Sequence, residues 1–186
     1  MYKVTVSLVN WKRPKEIEEI KKYLEKFPWV DEILVWDNNT NDNIFTYGHW
    51  KNALKAKNDI IYSQDDDCII NNLQELYDNF DNTKLIVGMK ACRMQEYSKF
   101  DSMMGWGTFW NKAWAKTLAK YIEKYGEDYV LLREAERIFT ALSDKKVMVA
   151  DIFEYPSCTA EFALHKQGDH ETTKRIAIDR CRLLVS

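Results

Sequence analysis

Three consecutive carboxylates, Asp65, Asp66 and Asp67, follow the apolar run DIIYS with only Gln64 between. Adjacent carboxylates repel by about 1 kcal/mol per close pair even in water, and by more where solvent is scarce. The end of a buried strand is a poor place for them without a cation. Mg2+ or Mn2+ suits such a set. These hard ions take oxygen ligands, need few protein carboxylates, and leave positions for water and substrate phosphates. The competing reading is a solvated acidic turn capping the following helix, where aspartate is favourable, although Asn71 or Asn72 is available for that cap.

Two other clusters are placed to share the site. Tyr2 to Val9 reads as a strand by β-branched content and alternation, and Asn10-Trp11-Lys12-Arg13 follows it. Val30 to Trp36 reads as a second strand ended by Asp37-Asn38-Asn39, and Asp59 to Ser63 as the third, ahead of the acidic triplet. Pro14 opens a helix through about Lys26, and Tyr47 to Lys57 reads as the next. Leu73 to Phe80 is helical and Lys84 to Met89 a fourth strand. Strands of buried type alternating with helices imply a parallel sheet, and ligands bind outside the carboxyl ends of such strands. All three polar clusters are then expected on one rim.

Beyond about Cys92 the pattern becomes irregular. Phe100 to Trp110 is an aromatic, glycine-punctuated loop or strand. Lys112 to Tyr125, Arg133 to Leu142 and Glu171 to Leu184 read as helices, and Val147 to Ile152 as a strand. The expectation is one α/β domain over 1–186, Rossmann-like, with a nucleotide-binding half at 1–92 and an acceptor or sugar-side half at 93–186.

Composition narrows the partners. The 186 residues are 46% hydrophobic and 30% charged with a net charge of -2, so no long-range field draws the chain to nucleic acid or anionic lipid. The four cysteines are scattered with no CxxC pair, which reads as reduced thiols, and no signal peptide or membrane span is recognisable. A cytoplasmic protein is expected. Neither GxGxxG nor GxxxxGK[ST] follows any strand, which sets aside dinucleotide-binding dehydrogenases and P-loop enzymes. A bound diphosphate must therefore be neutralised by metal and side chains. Lys12 and Arg13 are candidates, or else an ordinary surface basic pair.

The runs VTVSLVNWKRP, EILVWDNN and NALKAKNDIIYSQDDD resemble the donor-binding half of a GT-A glycosyltransferase, with QDDD as its DxD motif. GWGTFWNKAW and REAERIFTAL resemble the acceptor-side loop and acid-bearing helix of such enzymes. The likeness is closest to small virus-encoded and exostosin-like members, covers roughly residues 3–142, and would place a viral protein in the host cytoplasm. It implies an Mn2+- or Mg2+-dependent transferase that moves a sugar from a nucleoside-diphosphate donor, UDP by preference, to a glycan or protein-linked glycan, with inversion. Asn10, Lys12 and Arg13 would then touch the nucleotide, Asp37 and Asn38 the base, and Asn52 the diphosphate region. Gln64, Asp65 and Asp66 would border the donor, with Asp67, Asp65 and His165 as metal ligands. Trp106 and Gly107 would line the sugar pocket, where an aromatic face suits a pyranose, although core packing is an equal reading of the tryptophan.

The base that takes the acceptor proton matches Glu136, with Glu134 as the alternate and the pair Glu127-Asp128 behind them; all four also suit a solvated helix surface. His165, Lys166 and His170 suggest a phosphate-closing loop, or bystanders. Two other functions compete: a sugar nucleotidyltransferase, which would want a glycine-rich loop where NWKRP stands, and a non-catalytic sugar-binding domain.

Overall fold

The computed structural model describes residues 1–96, 100 and 104–186. Strands Val4–Asn10 (β1), Val30–Asp37 (β2) and Ile60–Gln64 (β3) alternate with helices Pro14–Leu24 (α1) and Gly48–Lys55 (α2). Cys68–Ile70 (β4), Leu73–Asp78 (α3), Leu85–Met89 (β5) and Thr108–Asn111 (β6) follow. The rest comprises Thr117–Tyr125 (α4), Tyr129–Leu142 (α5), Lys145–Val149 (β7), Ile152–Glu154 (β8) and His170–Val185 (α6).

Six strands form one sheet in the order β2-β1-β3-β6-β5-β7. β1 pairs in parallel with β2 and β3, and β5 in parallel with β7, whereas β6 runs antiparallel to both its neighbours. The result is an α/β fold with a mainly parallel sheet. Burial follows position: β1, β3 and β5 are buried nearly throughout, while β2 and β7 at the edges are half-exposed. Asn10 pairs with Asp37 and Leu8 with Gln64, so the carboxyl ends of β1, β2 and β3 do share a rim.

The two faces of the sheet carry separate cores. Val4, Val6, Leu8, Tyr62 and Phe109 pack with α1 and α3 around Trp29, which stacks on Tyr77 at 4.6 Å. Ile61, Val87 and Trp110 pack on the other face with Trp50 of α2 and Phe139 of α5. Trp29 and Trp110 are wholly buried, and truncating either to alanine should cost about 3–5 kcal/mol. The face of β1 towards α2 is polar, with Thr5 and Ser7 both at 0% exposure.

Several boundaries depart from the sequence pattern. The acidic triplet does not lead into a helix; it turns straight into β4, which pairs antiparallel with β8 as a separate ribbon. Asn72 occupies the N-cap position of α3 but makes no capping bond, because its Oδ1 accepts the Asp151 amide. That contact and the Asn71 amide on the Asp151 carbonyl redirect the chain, so the strand expected over 147–152 divides into β7 and β8. The helix expected from Lys112 opens as a 3-10 turn, and α5 begins four residues early because Asp128 caps it by accepting the Leu131 amide. Residues 101–103 of the expected aromatic segment lie outside the described residues. Among the described residues no helix is long and apolar enough to cross a membrane.

The thiols offer a check. Cys68 and Cys181 are buried and Cys92 is exposed, and burial pushes the Cys181 thiol up to about 12. At pH 8 a thiol-specific reagent should label Cys92 first and leave Cys68 and Cys181 unreacted until the chain unfolds; rapid labelling of either would contradict the core described here.

Candidate functional site

A cavity of about 660 Å³ opens at the rim formed by the carboxyl ends of β1, β2 and β3. Its walls include the whole acidic triplet, Trp106, Glu136 and His165. The three aspartates are clamped from both sides. The Asp65 amide donates to the Gly105 carbonyl (3.0 Å), and the Asp67 carbonyl accepts from the Tyr155 amide (2.8 Å).

The three carboxylates have different surroundings. Asp66 is 5% exposed; it accepts from the Trp11 amide at 2.6 Å and from Arg13 Nη1 at 2.7 Å. Burial raises it to about 7, while Arg13 and the Trp11 amide pull the other way. Asp65 is pushed well above the usual carboxylate range by burial and then by the charges of Glu136, Asp67 and Asp66. Asp67 is also raised by burial, with Arg13 and His165 opposing and Glu154 reinforcing the rise. Its side chain remains 22% exposed towards the cavity.

Such a set suits a divalent cation. Two carboxylates that desolvation and mutual repulsion drive towards protonation face one cavity, with an imidazole near enough to be felt by Asp67. A cation there would relieve the repulsion that burial amplifies. Asp67 and Asp65 offer the oxygen ligands that Mg2+ or Mn2+ takes, and Asp66 is already engaged by Arg13. Among the described residues the donor atoms that converge to within 4.8 Å are those of His49, Asp65 and Glu136, not those of Asp67 and His165.

Arg13 serves partly as an internal counter-ion. Besides Asp66, its Nη2 donates to the Ser157 carbonyl and lies 3.6 Å from Asp67, and the guanidinium sits 5.0 Å from the Phe162 ring centre. It still lines the cavity, as does Asn38. Asn38 accepts from Trp36 Nε1 and the Ile44 amide through Oδ1, fixing the loop after β2. Asn10 and Asp37 lie outside the cavity lining and bond each other at 3.2 Å; Asn10 Oδ1 also accepts the Arg13 amide. Burial works against Asp37, but hydrogen bonds from Asn39 and Asn10 hold its carboxyl low. Lys12 adopts a left-handed φ of 62° with its Nζ over the Trp11 and Phe162 rings, also outside the lining. These residues shape the rim rather than face the cavity.

Three further residues lie away from the place expected of them. Asn52 is 3% exposed, and its Nδ2 faces Ser7 Oγ and the Leu8 and Leu34 carbonyls, which ties α2 to the sheet. Gln64 is wholly buried between Tyr62 Oη and the Cys68 carbonyl. Gly107 stands behind the wall with φ of 90°, where a Cβ would meet Tyr62 Oη at 3.0 Å. Its neighbour Trp106 does line the cavity, with Lys90 Nζ 5.1 Å from the ring centre.

The two expected acids on α5 separate clearly. Glu134 has non-helical dihedrals (φ -110°, ψ 20°) that kink the helix, and it lies outside the lining. Its carboxylate is held by Arg137 Nε, Thr173 Oγ1 and His170. Glu136, two residues on, reaches the cavity with 6% exposure, and its Oε1 lies 3.1 Å from His49 Nε2. Glu127 accepts from Tyr47 Oη, and Asp128 caps α5 and pairs with Arg180. His165 and His170 both border the cavity; burial lowers His170, with Glu134 opposing.

Sequence reading missed His49, Arg137, Lys90 and Glu154. The last three line the cavity, and Lys90 and Glu154 form an ion pair with each other. Only His49 had a legible signal: a polar Ser7 within an apolar strand requires a buried partner.

Solved structures share this architecture. Glucosyl-3-phosphoglycerate synthase from Mycobacterium tuberculosis, in complex with Mg2+ and uridine diphosphate, matches with a TM-score of 0.55 at 11% identity, over 97% of this chain and 80% of that one. The same enzyme with Mn2+, uridine diphosphate and phosphoglyceric acid gives 0.52 at 12% identity, covering 97% and 78%. HddC from Yersinia pseudotuberculosis gives 0.51 at 15% identity, covering 89% and 99%. The fold is that of GT-A glycosyltransferases. No family model matches the sequence, and neither does any curated protein.

Gly105 provides a test of the GT-A turn. A Cβ there would fall 1.9 Å from Asp65 Oδ2, so the carboxylate would have to move. On the function proposed below, Gly105→Ala should weaken Mn2+-dependent nucleotide binding about tenfold or more by calorimetry while the far-UV spectrum stays native. Unchanged affinity would mean that Asp65 does not contribute to that binding.

Proposed function

We propose that the protein is a divalent-metal-dependent glycosyltransferase that uses a nucleoside-diphosphate sugar, with UDP as the nucleotide. The observation that carries this reading is the acidic turn after β3, set in one cavity with Glu136, Trp106 and His165. The similar structures hold UDP together with Mg2+ or Mn2+, which supports it.

Asp67, with Asp65 and His165, would hold the metal ion, which when bound supplies Lewis-acid neutralisation of the departing diphosphate. Arg13 anchors the turn through Asp66 and adds positive charge beside Asp67. Trp106 offers a ring face to the apolar side of the donor sugar. Glu136 acts as general base. It takes the proton of an acceptor hydroxyl as that oxygen bonds to the anomeric carbon; the bond from that carbon to the diphosphate oxygen breaks, and its electron pair leaves with the nucleotide. Attack from the face opposite the leaving group inverts the anomeric centre. The acceptor is a glycan or a protein-linked glycan.

Nucleotide release separates the readings. With UDP-sugars and Mn2+ the protein should liberate UDP and chelation should stop it, whereas release of pyrophosphate would indicate nucleotidyl transfer instead. Asp67→Asn should lower kcat at least 100-fold and abolish the response to Mn2+ without unfolding the chain. Glu136→Gln should lower kcat about 100- to 10,000-fold, the span of a general base, with the donor still bound. Full turnover in either variant would refute the role given to that residue.

A further inference from the structure

A chain of buried polar groups runs from the sheet, through a histidine that does not line the cavity, to Glu136. His49 of α2 is 0% exposed; its Nδ1 lies 2.9 Å from Ser7 Oγ, and its Nε2 lies 3.1 Å from Glu136 Oε1. Asn52, one turn further along α2, places Nδ2 3.0 Å from the same Ser7 Oγ.

The direction of each proton can be worked out. The Leu8 and Leu34 carbonyls can only accept, so the nitrogen end of the Asn52 amide must face them, and with them Ser7. Asn52 Nδ2 has two protons, and Leu8 O and Ser7 Oγ, both at 3.0 Å, are nearer than Leu34 O at 3.3 Å. With Ser7 Oγ accepting from Asn52, its own proton is left for His49 Nδ1, the other polar atom within hydrogen-bond distance. A neutral imidazole that accepts at Nδ1 carries its proton at Nε2. That proton is on the side of Glu136. Nε2 and Oε1 are close but out of line for a hydrogen bond, and neither has another hydrogen-bond partner. Catalytic hydrogen bonds of ligand-free enzymes are commonly misaligned in this way and tighten when substrate binds.

We propose that His49 is a positioning residue for Glu136, its tautomer set by Asn52 and Ser7, so that one carboxylate oxygen is held by Nε2 while the other meets the acceptor hydroxyl. This rests on the reading of Glu136 as the base. The geometry also explains why α2, which follows the cavity-lining Phe45 and Thr46, carries two polar residues inward. It supplies the support that a base on a kinked helix otherwise lacks, since Glu134, the residue at the kink, is committed to Arg137 and Thr173. A competing occupant is a cation, because His49, Asp65 and Glu136 offer ligand atoms within 4.8 Å of one another.

Two measurements test it. In protein labelled with 15N-histidine, His49 should show a protonated Nε2 and a bare Nδ1, and Ser7→Ala should disturb that pattern. A protonated Nδ1, or loss of the Nε2 proton on adding Mg2+ alone, would overturn the proposal, the latter by making the ring a metal ligand. In sugar transfer, His49→Phe should lower kcat about 10- to 100-fold, the range for partners that orient an active-site group, with the donor KM little changed. His49→Gln, whose amide nitrogen reaches close to the Nε2 position, should recover most of that loss. An unimpaired His49→Phe, or a glutamine variant as poor as the phenylalanine one, would refute positioning. Should His49→Phe fail to fold, Ser7→Ala carries the kinetic arm: it should lower kcat with donor KM held, and an unchanged kcat would refute the role. A wild type that transfers no sugar from any donor would sink the glycosyltransferase reading, and the imidazole signal would still decide the hydrogen-bond chain.

Discussion

Everything at the rim depends on how three adjacent carboxylates are kept within one turn. The Arg13–Asp66 pair supplies most of the answer. Both side chains are almost fully buried, and a lone charge in either place would be strongly unfavourable, by about 3–5 kcal/mol when one partner is removed. The pair locks the end of β1 to the end of β3, and the Trp11 amide on Asp66 adds a second tie between the same two points. With the middle aspartate neutralised from within, the outer two are left turned to the cavity. The turn thus presents carboxylates at alternate positions because the intervening one belongs to the scaffold.

The same logic divides α5. Its kink at Glu134 places one glutamate in a network with Arg137, Thr173 and His170, and the next one but one against the cavity. Glu134 and Glu136 look alike in sequence. Their different surroundings come from the break in helical geometry, which a regular periodicity does not reveal. Arg137 reaches the cavity, and Glu134 holds it by Nε, so the inward-committed acid still acts on the site through its neighbour.

Much of the front half was legible because strand physics is local. Apolar, β-branched runs with polar ends mark β1, β2 and β3, and a parallel arrangement makes those ends coincide. The acidic triplet was legible as a group, though not the burial of Asp66 or its pairing with Arg13, since their 53-residue separation is bridged only in three dimensions. Asn52 was placed near the diphosphate because a linear slot ahead of the triplet says nothing of which helix face turns inward. Gln64 was misleading for a similar reason: a polar residue at a strand end reads as rim, yet the Cys68 carbonyl two residues past the triplet's centre captures its amide. The β4–β8 ribbon was invisible because two three-residue strands, far apart in sequence, carry too little pattern to be recognised.

β6 ties the two parts of the sheet together. It alone joins β3 to β5 in the sheet order, and the segment leading into it brings Gly105 against Asp65. The first three strands set the acidic turn on the rim, but its second wall comes from Gly105, 38 or more residues further along the 186-residue chain. Glu136 stands later still in the sequence. The cavity is thus assembled from both halves of the chain, and the first three strands by themselves supply neither the wall behind Asp65 nor Glu136.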